Sequence, residues 1–183
     1  NYVYAFGDNS HGQLGNNTTT TYSSPIQVGL LTNWSQVSVG YGLALAAIKT
    51  DGTLWVCGYN GSGSLGNGTT IDYSSPIQVG SLTNWSQVSA SGNDTKAIKT
   101  DGTLWAWGGG AAGALGNGNT ISYSSPIQIG SLSDWKQVIN SNNNARAIKN
   151  DGTLWAWGYN AYGELGDSTT TNRSSPVQIG TAY

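Results

Sequence analysis

The string Asp-Gly-Thr-Leu-Trp begins at Asp51, Asp101 and Asp151, a spacing of 50 residues each time. Ser-Ser-Pro returns with it, its proline at 25, 76, 126 and 176, and Trp34, Trp85 and Trp135 follow the same rhythm. Self-similarity at this period is the signature of a repeat architecture, in which each unit buries its apolar faces against its neighbours. The first full repeat carries one extra residue, between Trp34 and Ala47. Residues 1–183 therefore read as one array, with a partial unit over about 1–33 and full units over about 34–84, 85–134 and 135–183.

Within a unit the pattern is that of four short strands. In the second full unit they are Trp85–Ser89, Lys96–Lys99, Thr103–Trp107 and Pro126–Ile129, here called strands A, B, C and D. Each has period-two character and is bounded by Gly, Pro, Asn or Ser. Thr-Asp-Gly or Asn-Asp-Gly stands between B and C, which predicts an antiparallel hairpin with a type I′ turn. Leu104-Trp105-Ala106-Trp107 is apolar at every position, as a strand covered on both faces would be. No stretch holds a helical period over ten residues. A four-stranded antiparallel unit recurring at this interval predicts an all-β fold, a β-propeller whose blades stack around an axis. The order is C–D, then A–B–C–D three times, about three and a half blades.

Units of the array carry Gly-x-Asn-x-x-Gly-x-Leu-Gly, as at Gly58, Asn60, Gly63, Leu65 and Gly66 and again at Gly158, Asn160, Gly163, Leu165 and Gly166. With Leu-Trp-Ala-Trp-Gly upstream and Pro-Ile-Gln-Val downstream, this resembles the regulator-of-chromosome-condensation repeat. The resemblance covers nearly the whole chain and implies a seven-bladed propeller. It departs ahead of strand B, where the family often has His-Thr and this sequence has Asp94-Thr95, Asn144-Ala145 and a Leu43-Ala44 variant. Three and a half blades then read as a segment of a longer propeller, with further blades upstream. Closure by homo-oligomerisation is the second reading. The sequence contains no Met, which fits a piece of a longer protein or a processed N-terminus.

Composition narrows the function. Lys and Arg number 7 and Asp and Glu 9, a charged fraction of 9% against roughly 25% in an average domain. A net charge of −2 lacks the basic footprint of a nucleic-acid binder. No apolar run approaches the roughly 18 residues that would insert into a membrane. His11 is the only His and Cys57 the only Cys, so a catalytic triad, a Cys-based zinc site and a disulfide framework lack their parts. Cys57 stands where other units have Trp107, Trp157 and Phe6, which predicts a buried thiol. Glu164 and Asp167 share one loop and read as a solvated pair rather than a glycosidase dyad. Lys49, Lys99 and Lys149 recur with Asp51, Asp101 and Asp151 as parts of the B–C hairpin. The expectation is a protein that is not an enzyme and needs neither cofactor nor metal.

Because strands alternate in direction, the A–B and C–D connections share one face and the B–C and D–A connections the other. The second face is nearly invariant among the units. The first diverges, with Val39-Gly40-Tyr41-Gly42-Leu43, Ala90-Ser91-Gly92-Asn93-Asp94 and Asn140-Ser141-Asn142-Asn143-Asn144 in the A–B loops. Variable loops on a repeated scaffold are where such proteins place binding. The candidate binding residues are Tyr41, Leu43, Tyr59, Asp94, Asn144, Tyr159 and Tyr162, with His11 at the margin. The partner is expected to be a protein, or further blades of the same propeller. A purely structural or decorative role in a phage or cell-surface assembly and a glycan-binding propeller stay open. Guanine-nucleotide exchange, which the family name brings to mind, finds little support in part of a propeller. The neutral Asn, Thr and Ser surface suggests an extracellular, cell-surface or virion setting.

Overall fold

A computed structural model describes residues 2–30, 32–41 and 43–180; Gly42 of the first A–B loop lies outside the described residues. Fourteen strands are present among them. Strands β1 (Tyr4–Gly7) and β2 (Tyr22–Gln27) form a two-stranded half-blade. The first blade is β3 (Trp34–Gly40), β4 (Ala44–Lys49), β5 (Leu54–Gly58) and β6 (Tyr73–Gln78). The second is β7 (Trp85–Ala90), β8 (Asp94–Lys99), β9 (Leu104–Gly108) and β10 (Tyr123–Gln128). The third is β11 (Trp135–Ser141), β12 (Asn144–Lys149), β13 (Leu154–Gly158) and β14 (Arg173–Ile179). Within each full blade the strands pair antiparallel in sequence order. No helix among the described residues is long and apolar enough to cross a membrane.

Blades are joined through their A strands. Gln36 Nε2 donates to Val88 O (3.0 Å) while its Oε1 accepts from Val88 N (3.1 Å). Gln87 does the same to Val138, at 3.1 and 2.7 Å. Two residues on, Ser38 Oγ accepts from Ala90 N (3.0 Å) and Ser89 Oγ from Asn140 N (2.9 Å). The Gln and Ser side chains thus substitute for a neighbouring strand's backbone at these positions of the junction.

A second joint lies under the C–D loops. Trp107 Nε1 donates to Ser64 O (2.8 Å) and Trp157 Nε1 to Ala114 O (3.0 Å), each reaching into the loop of the preceding blade. A Cβ on Gly66 would lie 2.6 Å from Trp107 Nε1, so only glycine lets the ring enter. Cys57 holds this place in the first blade and is fully buried as expected, with desolvation pushing its thiol up to about 12. Phe6 departs from the expected layer, being 65% exposed.

Two details depart from the sequence reading. Strand D begins at Tyr22, Tyr73, Tyr123 and Arg173 rather than at its proline. It is the edge strand of its sheet, where a residue without N–H breaks no ladder. The B–C turn is not type I′, because Asp51, Asp101 and Asp151 are absent from the residues with positive φ. Gly52 N donates to Lys49 O (2.9 Å) and only Gly52 has a positive φ (+79°), a type I turn closed by a glycine bulge. Asp51 Oδ1 accepts from Thr53 N (3.0 Å) and Thr53 Oγ1 (2.6 Å), which fixes the aspartate in this geometry. These bonds hold its carboxyl below the usual range, the Thr53 hydroxyl most of all.

A Cβ on Gly102, whose φ is +79°, would also stand 2.2 Å from Ser133 O. Gly102→Ala is therefore expected to destabilise by more than about 1 kcal/mol, read as a lowered Tm. At pH 8 a thiol reagent should label Cys57 at least about a hundredfold more slowly in the native chain than in denaturant. Uncovered Tyr4, Phe6, Val37 and Val39 at one end, and Ile139 at the other, predict that residues 1–183 in isolation self-associate, as light scattering would show.

Candidate functional site

The divergent face is built from A–B and C–D loops that lie side by side. Tyr59 N donates to Leu43 O (2.7 Å), Gly109 N to Asn93 O (2.8 Å) and Tyr159 N to Asn143 O (2.8 Å). Each C–D loop that carries the Gly-x-Asn motif is folded around the buried asparagine. Asn60 Nδ2 donates to Thr69 O (3.1 Å) and Ile71 O (3.0 Å), while its Oδ1 accepts from Leu65 N (2.9 Å). Asn9 and Asn160 repeat this pattern. Such loops are preorganised platforms for the side chains they carry.

On the first blade the candidates converge. His11, from the half-blade's loop, brings Nδ1 to 2.7 Å from Asp72 Oδ2 and sets its ring edge-on to Tyr59 at 5.0 Å. Asp72 Oδ1 also accepts from Asn60 N (2.7 Å), so one carboxylate ties two loops together. Tyr59 is half-buried, its ring lying over Gly61. Leu43 and Tyr41 both approach Gly92 of the neighbouring A–B loop. Tyr41 is 76% exposed and has a φ of +48°, a left-handed backbone that a bulky residue rarely adopts. The backbone bond from Tyr59 N to Leu43 O sets the His11–Asp72–Tyr59 group beside the loop that carries Tyr41 and Leu43.

On the third blade Tyr159 and Tyr162 stand edge to face at 6.3 Å. Burial, and after it the neighbouring Tyr162 and Glu164, raise the Tyr159 phenol above its ordinary range. Tyr162, 87% exposed, holds the loop position of His11, whose ring contacts the blade that follows. The second blade carries Gly109, Gly110, Ala111 and Ala112 between the two aromatic groups and offers no large side chain there.

Asp94 and Asn144 require correction, because both are buried rather than presented to a partner. Asp94 is fully buried, bonded to Ser91 Oγ and to Lys96 Nζ. Lys96, also fully buried, donates to Asn140 Oδ1 (2.9 Å) of the third blade, and Asn140 Nδ2 returns a bond to Asp94 O (2.9 Å). Burial lowers the Lys96 pKa, and the Asp94 carboxylate opposes that shift. Asn144 Oδ1 accepts from Arg146 Nη1 (3.3 Å), and Arg146 also bonds Glu164 O. The physical reason is strand geometry: β8 is buried along its whole length, and Asp94 and Lys96, two apart, point to the same side of it. Lys96, Asn140, Ser91 and Asp72 were missed from the sequence. The signal lay in position 96, where the first blade has Ala46 and an inward strand acquires a cation two residues from an acid.

The remaining charges serve structure. Lys99 Nζ lies 3.5 Å from the centroid of Trp105, and Lys149 Nζ 4.4 Å from that of Trp155. Glu164 Oε2 accepts from Tyr162 N (2.9 Å). Asp167 accepts from Thr169, Arg173 and Asn160, and these bonds, the Thr169 hydroxyl foremost, hold its carboxyl down to about 2. No group of three or more His, Cys, Asp or Glu able to hold a metal ion occurs among the described residues.

The profile of the regulator of chromosome condensation (RCC1) repeat matches residues 1–47, 51–98, 101–143 and 151–182. The chain belongs to the RCC1 repeat family. Over 79 residues, 42% of its length, it is 34% identical to the ultraviolet-B receptor UVR8 of Arabidopsis thaliana, covering 18% of that protein. The same identity over 79 residues, 42% of the chain, relates it to a probable E3 ubiquitin-protein ligase, HERC4, of Mus musculus, of which 8% is covered. The crystal structure of human WBSCR16 superposes with a TM-score of 0.88 at 24% identity, over 98% of this chain and 48% of that one. Prp20p of Saccharomyces cerevisiae gives 0.85 at 18%, over 98% and 46%. These two share the RCC1-type propeller fold. The chain spans about half the length of both solved structures and the aligned stretch under a fifth of both curated relatives.

Removing one member of a buried ion pair leaves the other charge uncompensated. Asp94→Ala is expected to cost about 3–5 kcal/mol in urea unfolding, and Asp94→Ala with Lys96→Met to recover much of it. A double variant as unstable as the single would show that the pair is not coupled.

Proposed function

We propose that this RCC1-repeat chain is part of a non-enzymatic scaffold that docks a protein partner on its A–B and C–D face. The observation that carries the reading is the patch of Tyr41, Leu43, Tyr59 and His11. Tyr41 is 76% exposed in a left-handed backbone, and His11 is set edge-on to Tyr59, in loops that lie side by side on this face. Tyr contributes large contact area and a polar tip while losing little rotamer freedom. Asp94, Asn144 and their partners support this reading from beneath, since they hold the A–B loops in place without meeting the partner. The crystal structure of Prp20p is described together with its binding to Gsp1p and histones, and the same yeast protein has been solved bound to Kap60. A protein with this fold is thus known to bind protein partners.

The test pairs binding with stability on each variant. Tyr41→Ala and Tyr59→Ala should weaken binding of an identified protein partner by about 1–2 kcal/mol in calorimetry while leaving Tm nearly unchanged. Gly102→Ala, on the opposite face, should lower Tm without changing affinity at temperatures where the protein is folded. Early melting of the Tyr variants would make those side chains packing residues. Binding that responds only to the B–C and D–A face would invert the assignment.

A further inference from the structure

Each C–D loop touches the blade that follows it, and one backbone bond recurs at all three junctions. Asn17 N donates to Ser74 O (2.8 Å), Gly68 N to Ser124 O (2.8 Å) and Gly118 N to Ser174 O (2.7 Å). A polar side chain recurs at the end of the loop. Asp72 Oδ1, Ser122 Oγ and Asn172 Oδ1 accept from the backbone N–H of Asn60, Gly110 and Asn160, at 2.7, 3.2 and 2.8 Å. A carboxylate, a hydroxyl and a carboxamide thus fill the same local role. Of the three, only the carboxylate brings a charge and a second oxygen that can accept.

That oxygen, Asp72 Oδ2, meets His11 Nδ1 across the junction of the half-blade with the first blade. The loop positions of His11 and Asp72 hold Ser62 and Ser122 at the next junction, and Ala112 and Asn172 at the one after, so neither repeats the pair. The half-blade junction differs in a second respect. Its sheet is two-stranded, so among the described residues no A-strand glutamine clamps it as Gln36 and Gln87 clamp the other two. The imidazole and carboxylate stand where that joint is missing.

Asp72 and Tyr59, both of the first blade's C–D loop, are the titratable groups that face the imidazole. On its own loop Asp8 is linked to it through Gln13, whose Oε1 accepts from His11 N (2.9 Å) and whose Nε2 donates to Asp8 Oδ2 (2.8 Å). Neither loop, residues 8–21 or 59–72, contains Lys or Arg, so no cation of these loops competes for Asp72. The two side chains are 35% and 37% exposed, open to proton exchange with solvent. Imidazoles as a class gain their proton as pH falls from about 8 to 5. An imidazolium donates to a carboxylate with charge on both partners, whereas the neutral ring offers a hydrogen bond from an uncharged donor. The bond is therefore strongest in mild acid and weakens as pH rises through the imidazole range. We propose that His11 and Asp72 form a pH-dependent latch, which fastens the half-blade to the first blade in mild acid and loosens it above neutral pH. The latch is a property of the junction, whatever docks on the A–B and C–D face.

The test is amide hydrogen exchange of the full-length protein, followed by NMR at about pH 5.5 and about pH 8, on either side of the imidazole range. Each rate is divided by that of the unstructured chain at the same pH. The Asn17 amide reports the latched junction, and the Gly68 and Gly118 amides are internal controls at junctions without the pair. Protection of Asn17 should fall by roughly 2–5-fold from the lower pH to the higher, as befits a partly exposed ion pair, while Gly68 and Gly118 stay level. Asp72→Asn removes the charge but keeps an acceptor for Asn60 N, as Asn172 does for Asn160 N, and should abolish the fall at Asn17 while Asn60 stays protected. His11→Ser, which places the residue of the next unit there, should abolish it too. The proposal is overturned if Asn17 protection is level in the unaltered protein, or if Gly68 and Gly118 lose protection in step with it. It is equally overturned if the fall survives in Asp72→Asn.

Discussion

A blade of four short strands has two large apolar faces and two edges, and it is stable only when its neighbours hold it in register. In this chain neighbouring blades are held at the A strands by a glutamine and, two residues on, a serine. The carboxamide of Gln36, and then of Gln87, carries a donor and an acceptor at the spacing of a peptide unit, so it pairs with Val88 or Val138 as a strand would. Everything further out follows from that spacing. The tryptophans of strand C fall beneath the preceding C–D loop, the glycines of those loops make room for them, and the loops themselves come to lie beside the A–B turns of the same blade. A propeller usually presents its binding surface as loops, but here the placement of those loops is decided by an amide near the opposite end of each sheet.

Much of this was readable before any coordinates. Repetition at 50 residues, period-two strands and the all-apolar Leu104–Trp107 segment sufficed for the blade, and alternation of strand direction sufficed for the two faces. The burial of Cys57 followed from its place among tryptophans. What escaped the sequence were features that depend on a neighbour. Pro126 looked like a strand boundary because its tolerance depends on the strand being at an edge. Asp-Gly suggested a type I′ turn because the hydrogen bonds from Thr53 to Asp51, which hold the aspartate at negative φ, lie outside the dipeptide. Asp94 looked like a surface carboxylate because its partners, Lys96 and Asn140, become visible only when two blades are put together.

The same dependence on neighbours separates residues that carry a surface from residues that merely lie near it. His11, Tyr59 and Asp72 come from two different units and meet only because the half-blade and the first blade are stacked. Their arrangement is a property of the junction and of neither unit alone. Asp94 and Asn144, the first residues of β8 and β12, turn inward and spend their polarity on the framework.

The A-strand joint also makes the units less interchangeable than their sequences suggest. Ser38 and Ser89 accept from the backbone of the next blade, but the third blade has Ile139 at that position and cannot offer the bond. Asn140, in turn, answers a lysine that only the second blade supplies. Near-duplicate modules therefore carry an address: a gene rearrangement that exchanged the second and third units would preserve every blade and still mismatch the seams between them, so the order of repeats is itself under physical constraint.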